Sequence, residues 1–347
     1  MQMSDSSTHG VIHAKPTVGD AYGRILKDLR LSLTDRCNLR CQYCMPEEIF
    51  GERFRFSHRR DLLTQDQLLH IARVFIELGV EKIRLTGGEP LLRPDLVDIV
   101  TAIRRESPTL DLALTTNGQH LESMAFALSD AGLDRVNISL DGIDDAVASA
   151  MAGRTIEPAR ILKAAEVARE SGLCVKFNAV IKRGVNDSEI MPLAKACRER
   201  GFILRYIEYM DVGSVNGWSR KDVVSGQEIR ELLSVFGALN PMSVSPTSNV
   251  ARHYRYADTG LEVGFIESVT RPFCSGCTRA RVSATGELFT CLFAQSGTPL
   301  KPMMATDGML EVFLRQRWQR RDDRYSEIRD EVASAVSPHE EMWRLGG

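Results

Sequence analysis

Six of the eight cysteines fall into two sets of three. Cys37, Cys41 and Cys44 form C-x3-C-x2-C, while Cys274 and Cys277 form C-x2-C with Cys291 further on. Thiolates bind soft metals, and three crowded into eight residues make a poor core. A closed zinc site wants four ligands, and no fourth lies near the first set. A four-iron cluster held by three thiolates leaves one iron open for a substrate, which gives such a triplet a chemical purpose. The second set begins as zinc ribbons do, yet it too has only three ligands at hand. Residue types alone leave zinc and a second three-thiolate cluster equally open there. Cys174 and Cys197 fall in a predicted strand and helix and read as buried packing residues. The seven histidines lack ligand spacing and read as surface residues.

Two further features bear on chemistry. Thr86-Gly87-Gly88-Glu89-Pro90 follows a predicted strand, and its glycines let backbone approach a ligand closely. Taken alone, such a Gly- and Pro-containing segment more often marks a turn. Arg279 and Arg281 are two apart, so an extended strand points them the same way. Arginine is the planar, bidentate partner of phosphate. Most arginine pairs are solvated, but the cysteines beside this one favour a pocket.

The elements that must position these residues alternate regularly. Short apolar runs at Leu29–Leu33, Lys82–Leu85, Leu112–Leu114, Arg135–Leu140, Cys174–Ile181 and Ile203–Tyr209 read as strands. Amphipathic stretches at Gln65–Leu78, Leu96–Arg105, Leu121–Ala131, Ala159–Ser171 and Glu189–Arg200 read as helices. Repeated strand–helix units mean a parallel sheet, and six of them precede residue 240. The expected α/β fold is an incomplete (β/α)6 TIM-type barrel, although a doubly wound flat sheet fits the same rhythm. Either places functional loops after the C-terminal ends of the strands. A Pro- and Ser-rich segment, Asn240–Asn249, then breaks the rhythm. Short β-like runs (Tyr254–Tyr256, Leu261–Ile266, Ala280–Ser283, Leu288–Leu292) and a helix near Leu310–Arg320 follow, a smaller α+β extension packed on the first part. The expected organisation is a flexible tail over 1–21, a barrel over 22–240 and a C-terminal region over 241–347.

Bulk properties narrow the function. The 347 residues are 43% hydrophobic, enough for a sizeable core. Lys and Arg total 44 against 46 Asp and Glu, a net charge of -2, which argues against a general nucleic-acid binder. No apolar run approaches a membrane span and the polar first twenty residues lack a signal peptide's apolar stretch. The expected location is cytoplasmic, where thiols stay reduced.

C-x3-C-x2-C after the first strand of a βα array resembles the signature of the radical S-adenosylmethionine superfamily, down to the aromatic Tyr43 before the last cysteine. More narrowly, Leu31-Ser32-Leu33-Thr34-Asp35-Arg36-Cys37, Tyr209-Met210-Asp211-Val212-Gly213, Phe273-Cys274-Ser275-Gly276-Cys277-Thr278-Arg279-Ala280-Arg281, Arg321-Asp322-Asp323-Arg324-Tyr325-Ser326 and the terminal Gly346-Gly347 resemble the GTP 3′,8-cyclase family from about residue 22 to the end. The resemblance implies two [4Fe-4S] clusters, one on Cys37, Cys41 and Cys44 and one on Cys274, Cys277 and Cys291. It implies S-adenosylmethionine bound near Tyr43, Gly88, Ser139 and Met210. It implies GTP held by Arg30, Arg84, Thr115, Lys176, Arg279 and Arg281, with Arg30, Arg279, Arg281, Gly346 and Gly347 acting in catalysis. Without it Met210 would read as core. It further implies a flavodoxin-type electron donor, a downstream cyclic pyranopterin monophosphate synthase, a monomer or homodimer, and no membrane or nucleic-acid partner. Trp343-Arg344-Leu345 departs from the family's usual small-aromatic-Ile, and Asp330–Glu340 is also divergent, so the tail's path is open. The competing readings are a peptide-modifying radical enzyme, which usually carries more C-terminal cysteines, and a zinc-stabilised binding protein.

Overall fold

The computed structural model describes residues 17–243, 250–332 and 339–346. Six strands appear within a residue or two of their expected places: β1 (Asp28–Ser32), β2 (Lys82–Thr86), β3 (Asp111–Thr116), β4 (Arg135–Ser139), β5 (Cys174–Ile181) and β6 (Ile203–Glu208). The helices before and between them are α1 (Glu47–Phe50), α2 (Gln65–Glu77), α3 (Leu96–Glu106), α4 (Leu121–Asp130), α5 (Asp145–Ala152), α6 (Pro158–Glu170) and α7 (Ile190–Arg200), and α8 (Gly226–Leu233) follows β6. Local chemistry sets their ends. Thr64 and Gln67 form a capping box at the start of α2, and Gly201 closes α7 at φ 70°.

The chain from residue 239 onward supplies β7 (Leu239–Pro241), β8 (Arg252–Tyr256), β9 (Glu262–Ile266), β10 (Arg279–Val282), β11 (Glu287–Phe289) and β12 (Thr298–Pro299), then α9 (Met309–Gln319), α10 (Tyr325–Val332) and α11 (Met342–Leu345). Its strands join both edges of the barrel sheet. β10 pairs in parallel with β1, and β9 pairs in parallel with β6. The six parallel strands therefore become eight, in the order β10-β1-β2-β3-β4-β5-β6-β9, with antiparallel strands finishing each end.

Parallel strands buried on both faces are usually apolar throughout. These alternate instead. Leu29, Leu31, Ile83, Leu85, Leu112, Leu114, Val136 and Ile138 pack in the core, while Arg30, Arg84, Thr115 and Ser139, at the opposite parity, line a cavity. A closed barrel fills its interior with branched apolar side chains. The polar inward face marks this interior as a site.

Four expectations need correction. Cys174 is exposed, because it opens β5 on the inward-facing parity at the rim, whereas Cys197 is buried as expected. Residues 17–21 of the expected tail are docked, with Val18 and Asp20 buried. Residues 1–16 lie outside the described residues. His253 is half-buried against Glu262, with Nδ1 2.6 Å from Oε1, and His339 packs on Tyr325 at 4.5 Å between ring centroids. Both rings fill gaps beside strands and loops where an apolar body with a polar tip fits. Among the described residues, no helix is long and apolar enough to cross a membrane.

Candidate active site

One cavity of about 280 Å³ collects both cysteine sets and the inward-facing side chains of the barrel. Cys37, Cys41 and Cys44 lie in the loop after the C-terminal end of β1. Cys274 and Cys277 precede the N-terminal end of β10, and Asp28 at the start of β1 lies opposite Arg279. β11 runs antiparallel to β10 and delivers Cys291 back to that end. The two sets therefore meet the cavity from opposite ends of neighbouring strands.

All six thiols are partly buried. Burial pushes Cys37 up to about 11, and lifts Cys41 and Cys44 further. In the second set burial raises Cys274 and pushes Cys291 up to about 12. Cys277 differs: burial opposes ionisation, but Arg279 and Arg321 outweigh it and bring the thiol down to about 6. Backbone donors point at sulfur, Leu39 N at 3.4 Å from Cys37 Sγ and Phe293 N at 3.4 Å from Cys291 Sγ. Among the described residues, no group of three or more His, Cys, Asp or Glu side chains is arranged to hold a single metal ion. A cluster asks for a different spacing, since each thiolate binds its own iron. Desolvated sulfurs with N–H donors and no fourth ligand are the donor set such a cluster takes.

The segment after β2 builds the wall beside the first cysteine set. Gly87 and Gly88 line the cavity, yet their small size is required by protein, since a Cβ on Gly88 would clash with the Arg36 carbonyl. Gly88 N donates to Thr34 O at 2.7 Å and Glu89 N to Arg36 O at 2.8 Å, so the two loops are stitched together. The buried Glu89 carboxylate accepts from Thr116 Oγ1 (2.7 Å), Asn117 N (2.8 Å) and Leu91 N (3.0 Å). Burial pushes it up to about 7 against the pull of these donors. Glu89→Gln sets an NH2 against an N–H or hydroxyl donor, so it should cost about 1–3 kcal/mol. Calorimetry on the metal-free protein should show a melting temperature lower by several degrees. Tyr43 Oη donates to Asp141 Oδ2 at 2.9 Å, and Val180 N donates to Oδ1 at 2.8 Å, tying the cysteine loop to the end of β4 beside Ser139. Burial pushes Asp141 up to about 6. Met210, after β6, also lines the cavity.

Six arginines line the cavity: Arg30, Arg84, Arg205, Arg279 and Arg281, with Arg321 beside the second cysteine set. In register, Arg30 stands between Arg84 on β2 and Arg281 on β10. Burial, then mutual repulsion, depresses Arg30 strongly and brings Arg205 and Arg281 down to about 9. Arg84 Nε, Arg205 Nε, Thr115 Oγ1 and Asn178 Oδ1 are buried with no hydrogen-bond partner among the described residues. Crowded, desolvated cations and orphaned donors are costly until an anion enters, while Asn178 Oδ1 awaits a ligand donor. Lys176 does not join them; it lies nearer the start of β5 and pairs with Glu262 at 3.8 Å. Asp28–Lys82 (3.8 Å) and Asp111–Arg135 complete a ring of ion pairs at that end.

The chain's end reaches the same cavity. Trp343 sits against Phe50, Phe54 and Phe56 with centroids 5.8, 5.8 and 6.3 Å away. Glu341 Oε1 accepts from Ser214 N at 2.9 Å, and Arg281 Nη1 donates to Leu345 O at 3.4 Å. Gly346, at φ +74°, packs on Thr86 and Ser32. Gly347 lies outside the described residues. Gly346→Ala would meet both an unfavourable φ and the Thr86 hydroxyl, so the tail should be displaced. Faster removal of the last residues by carboxypeptidase, with an unchanged core, is the expected result. Arg205, Asn178, Glu89 and Asp141 were missed from sequence; a polar side chain at the inward parity of a parallel strand was the signal for the first two.

An open parallel barrel with a three-cysteine loop after its first strand is the build of radical S-adenosylmethionine enzymes. The chain matches the Radical SAM superfamily over residues 31–197 and Molybdenum Cofactor Synthesis C over residues 202–327. Streptococcus suis SuiB, solved bound to S-adenosylmethionine, shares the fold at a TM-score of 0.60 and 16% identity, over 93% of this chain and 72% of that one. The chain is 47% identical over 320 residues to GTP 3′,8-cyclase of Acidothermus cellulolyticus, covering 90% of this chain and 88% of the relative. It is 43% identical over 316 residues to GTP 3′,8-cyclase of Staphylococcus aureus, covering 90% and 93%. The chain belongs to the GTP 3′,8-cyclase family. Radical SAM membership brings a [4Fe-4S] cluster and S-adenosylmethionine.

Proposed function

We propose that the chain converts GTP to 3′,8-cyclo-7,8-dihydro-GTP, the first step of molybdenum cofactor biosynthesis. The carrying observation is the arginine-lined cavity with a cysteine triplet toward each end. Cys37, Cys41 and Cys44 would hold the first cluster, and Gly88, Ser139, Tyr43 and Met210 the S-adenosylmethionine beside it. Bound there, cluster and cofactor would supply an electron and a 5′-deoxyadenosyl radical able to take the 3′ hydrogen of GTP. The substrate's C3′ then bonds to guanine C8, and one electron and one proton complete the product. Cys274, Cys277 and Cys291 would hold a second [4Fe-4S] cluster facing the base. Arg30, Arg84, Arg205 and Arg281 hold the triphosphate, with Thr115 beside them. Arg279, whose Nη2 lies 3.6 Å from Cys277 Sγ, serves both phosphate and cysteine. Lys176, engaged with Glu262, would have to leave that partner to reach GTP. Gly346, without a side chain, would approach the substrate; Gly347, expected to act with it, lies outside the described residues. A cyclic pyranopterin monophosphate synthase would consume the product, and a flavodoxin-type protein would donate electrons.

Charge-assisted contacts to phosphate are worth about 1.5–3 kcal/mol each, ten- to a hundredfold in affinity. Affinity should therefore fall steeply from GTP to GDP to guanosine. Arg281→Ala and Arg84→Ala should weaken GTP by that factor and guanosine far less, with Lys rescuing only in part because it lacks the fork. Calorimetric titration under argon decides it: equal losses for GTP and guanosine would mean that the arginines serve the fold and not the phosphates.

A further inference from the structure

The segment read from sequence as a loose tail ends in a buried ion-pair triad. Asp20 Oδ2 receives Arg24 Nε at 2.6 Å and Arg321 Nη1 at 2.8 Å, and the Asp20 side chain is 0% exposed. Its other oxygen accepts the N–H groups of Tyr22 and Arg24, each at 2.9 Å. Arg24 Nη1 and two nitrogens of Arg321 reach backbone carbonyls at the second cysteine set. Arg24 Nη1 donates to Cys274 O at 2.9 Å and to Asp323 O at 2.7 Å. Arg321 Nη1 donates to Cys277 O at 3.0 Å, and its Nε donates to Thr290 O at 3.0 Å. Thr290 directly precedes Cys291. Trp318 backs the assembly, with its ring 4.7 Å from the Arg321 guanidinium and its Nε1 donating to Arg24 O at 3.0 Å.

Each of the three cysteine-bearing segments thus has a carbonyl held by one of two arginines, and a single carboxylate holds those arginines together. Asp20 and Arg24 are not among the cavity's lining residues, and Arg321 borders it beside the second cysteine set. Their geometry nevertheless fixes the backbone from which three thiolates project. Asp323 Oδ2, 3.3 Å from Arg321 Nε, adds a second carboxylate, so the two guanidinium charges are balanced beside the cysteines.

We propose that Asp20, Arg24 and Arg321 form a clamp that presets the Cys274, Cys277 and Cys291 site and retains the metal held there. They are positioning residues, and the N-terminal segment is part of the second site. The inference rests on reading the second set as a metal site, and not on which metal fills it.

The test is release of metal to a chelator under argon, from the full chain and from a chain carrying Cys37→Ala, Cys41→Ala and Cys44→Ala. In the second protein all bound metal belongs to the second set. Asp20→Asn removes the carboxylate that the two arginines share, leaving Arg321 only its 3.3 Å contact with Asp323, and should speed release from the second set about ten- to a hundredfold. Asp20→Glu should restore most of the retention. Arg321→Lys, which keeps the charge but loses the fork, should fall between. Release from the first set should be unchanged, a result that general loosening of the fold would not leave. Wild-type release rates in Asp20→Asn and Arg321→Lys would overturn the clamp, as would equal acceleration from both sets. Zinc in the second set of the wild type would end the second-cluster reading, and its release rates would judge the clamp by the same criterion.

Discussion

The Cys41→Ala protein is expected to form no 5′-deoxyadenosine above background, and to carry about four fewer irons per chain than wild type. The expectation follows from ligand number. Three thiolates are available at the end of β1, and losing one leaves two, too few to hold a cubane. The substitution should not unfold the loop, because the turn is held by backbone: Cys44 N and Met45 N donate to Cys41 O at 3.0 and 2.8 Å. Circular dichroism should therefore match wild type while the iron assay does not. Cys37→Ala and Cys44→Ala should behave alike. Undiminished 5′-deoxyadenosine formation in any of the three would remove this loop from the chemistry.

Cys291→Ala should separate the two halves of the reaction. About four irons should again be lost, one cubane. Cofactor cleavage should survive in part, since the first set and the Gly88, Ser139 and Met210 walls are untouched. Cyclisation should disappear, because the substrate loses its proposed anchor at the other end of the cavity. The ratio of 5′-deoxyadenosine to cyclised product, near one in a coupled wild-type turnover, should rise steeply. Four irons and one zinc in the anaerobically reconstituted wild type would refute the second cluster.

Much of this was legible from residues. The six βα units showed through their apolar periodicity, because outward-facing Leu29, Leu31, Leu112 and Leu114 carry it whatever faces inward. The two cysteine sets and Arg279–Arg281 were visible as spacing. The eighth-strand architecture was not, since β10 joins β1 across some 250 residues and no local pattern encodes a parallel neighbour so distant. Lys176 and Arg205 show the same limit: both are inward cations, and only the location of Glu262 decides which is paired. Asp20 read as tail because a polar N-terminus looks solvated until its arginine partners, one of them Arg321, are in place.

Hydrogen abstraction from C3′ of GTP is read out by isotope transfer. Anaerobic turnover with S-adenosylmethionine, dithionite and GTP deuterated at C3′ should give 5′-deoxyadenosine carrying one deuterium. The nucleotide product should be an isomer of GTP that has lost that deuterium. Unlabelled 5′-deoxyadenosine, with GTP recovered unchanged and still deuterated, would contradict the account.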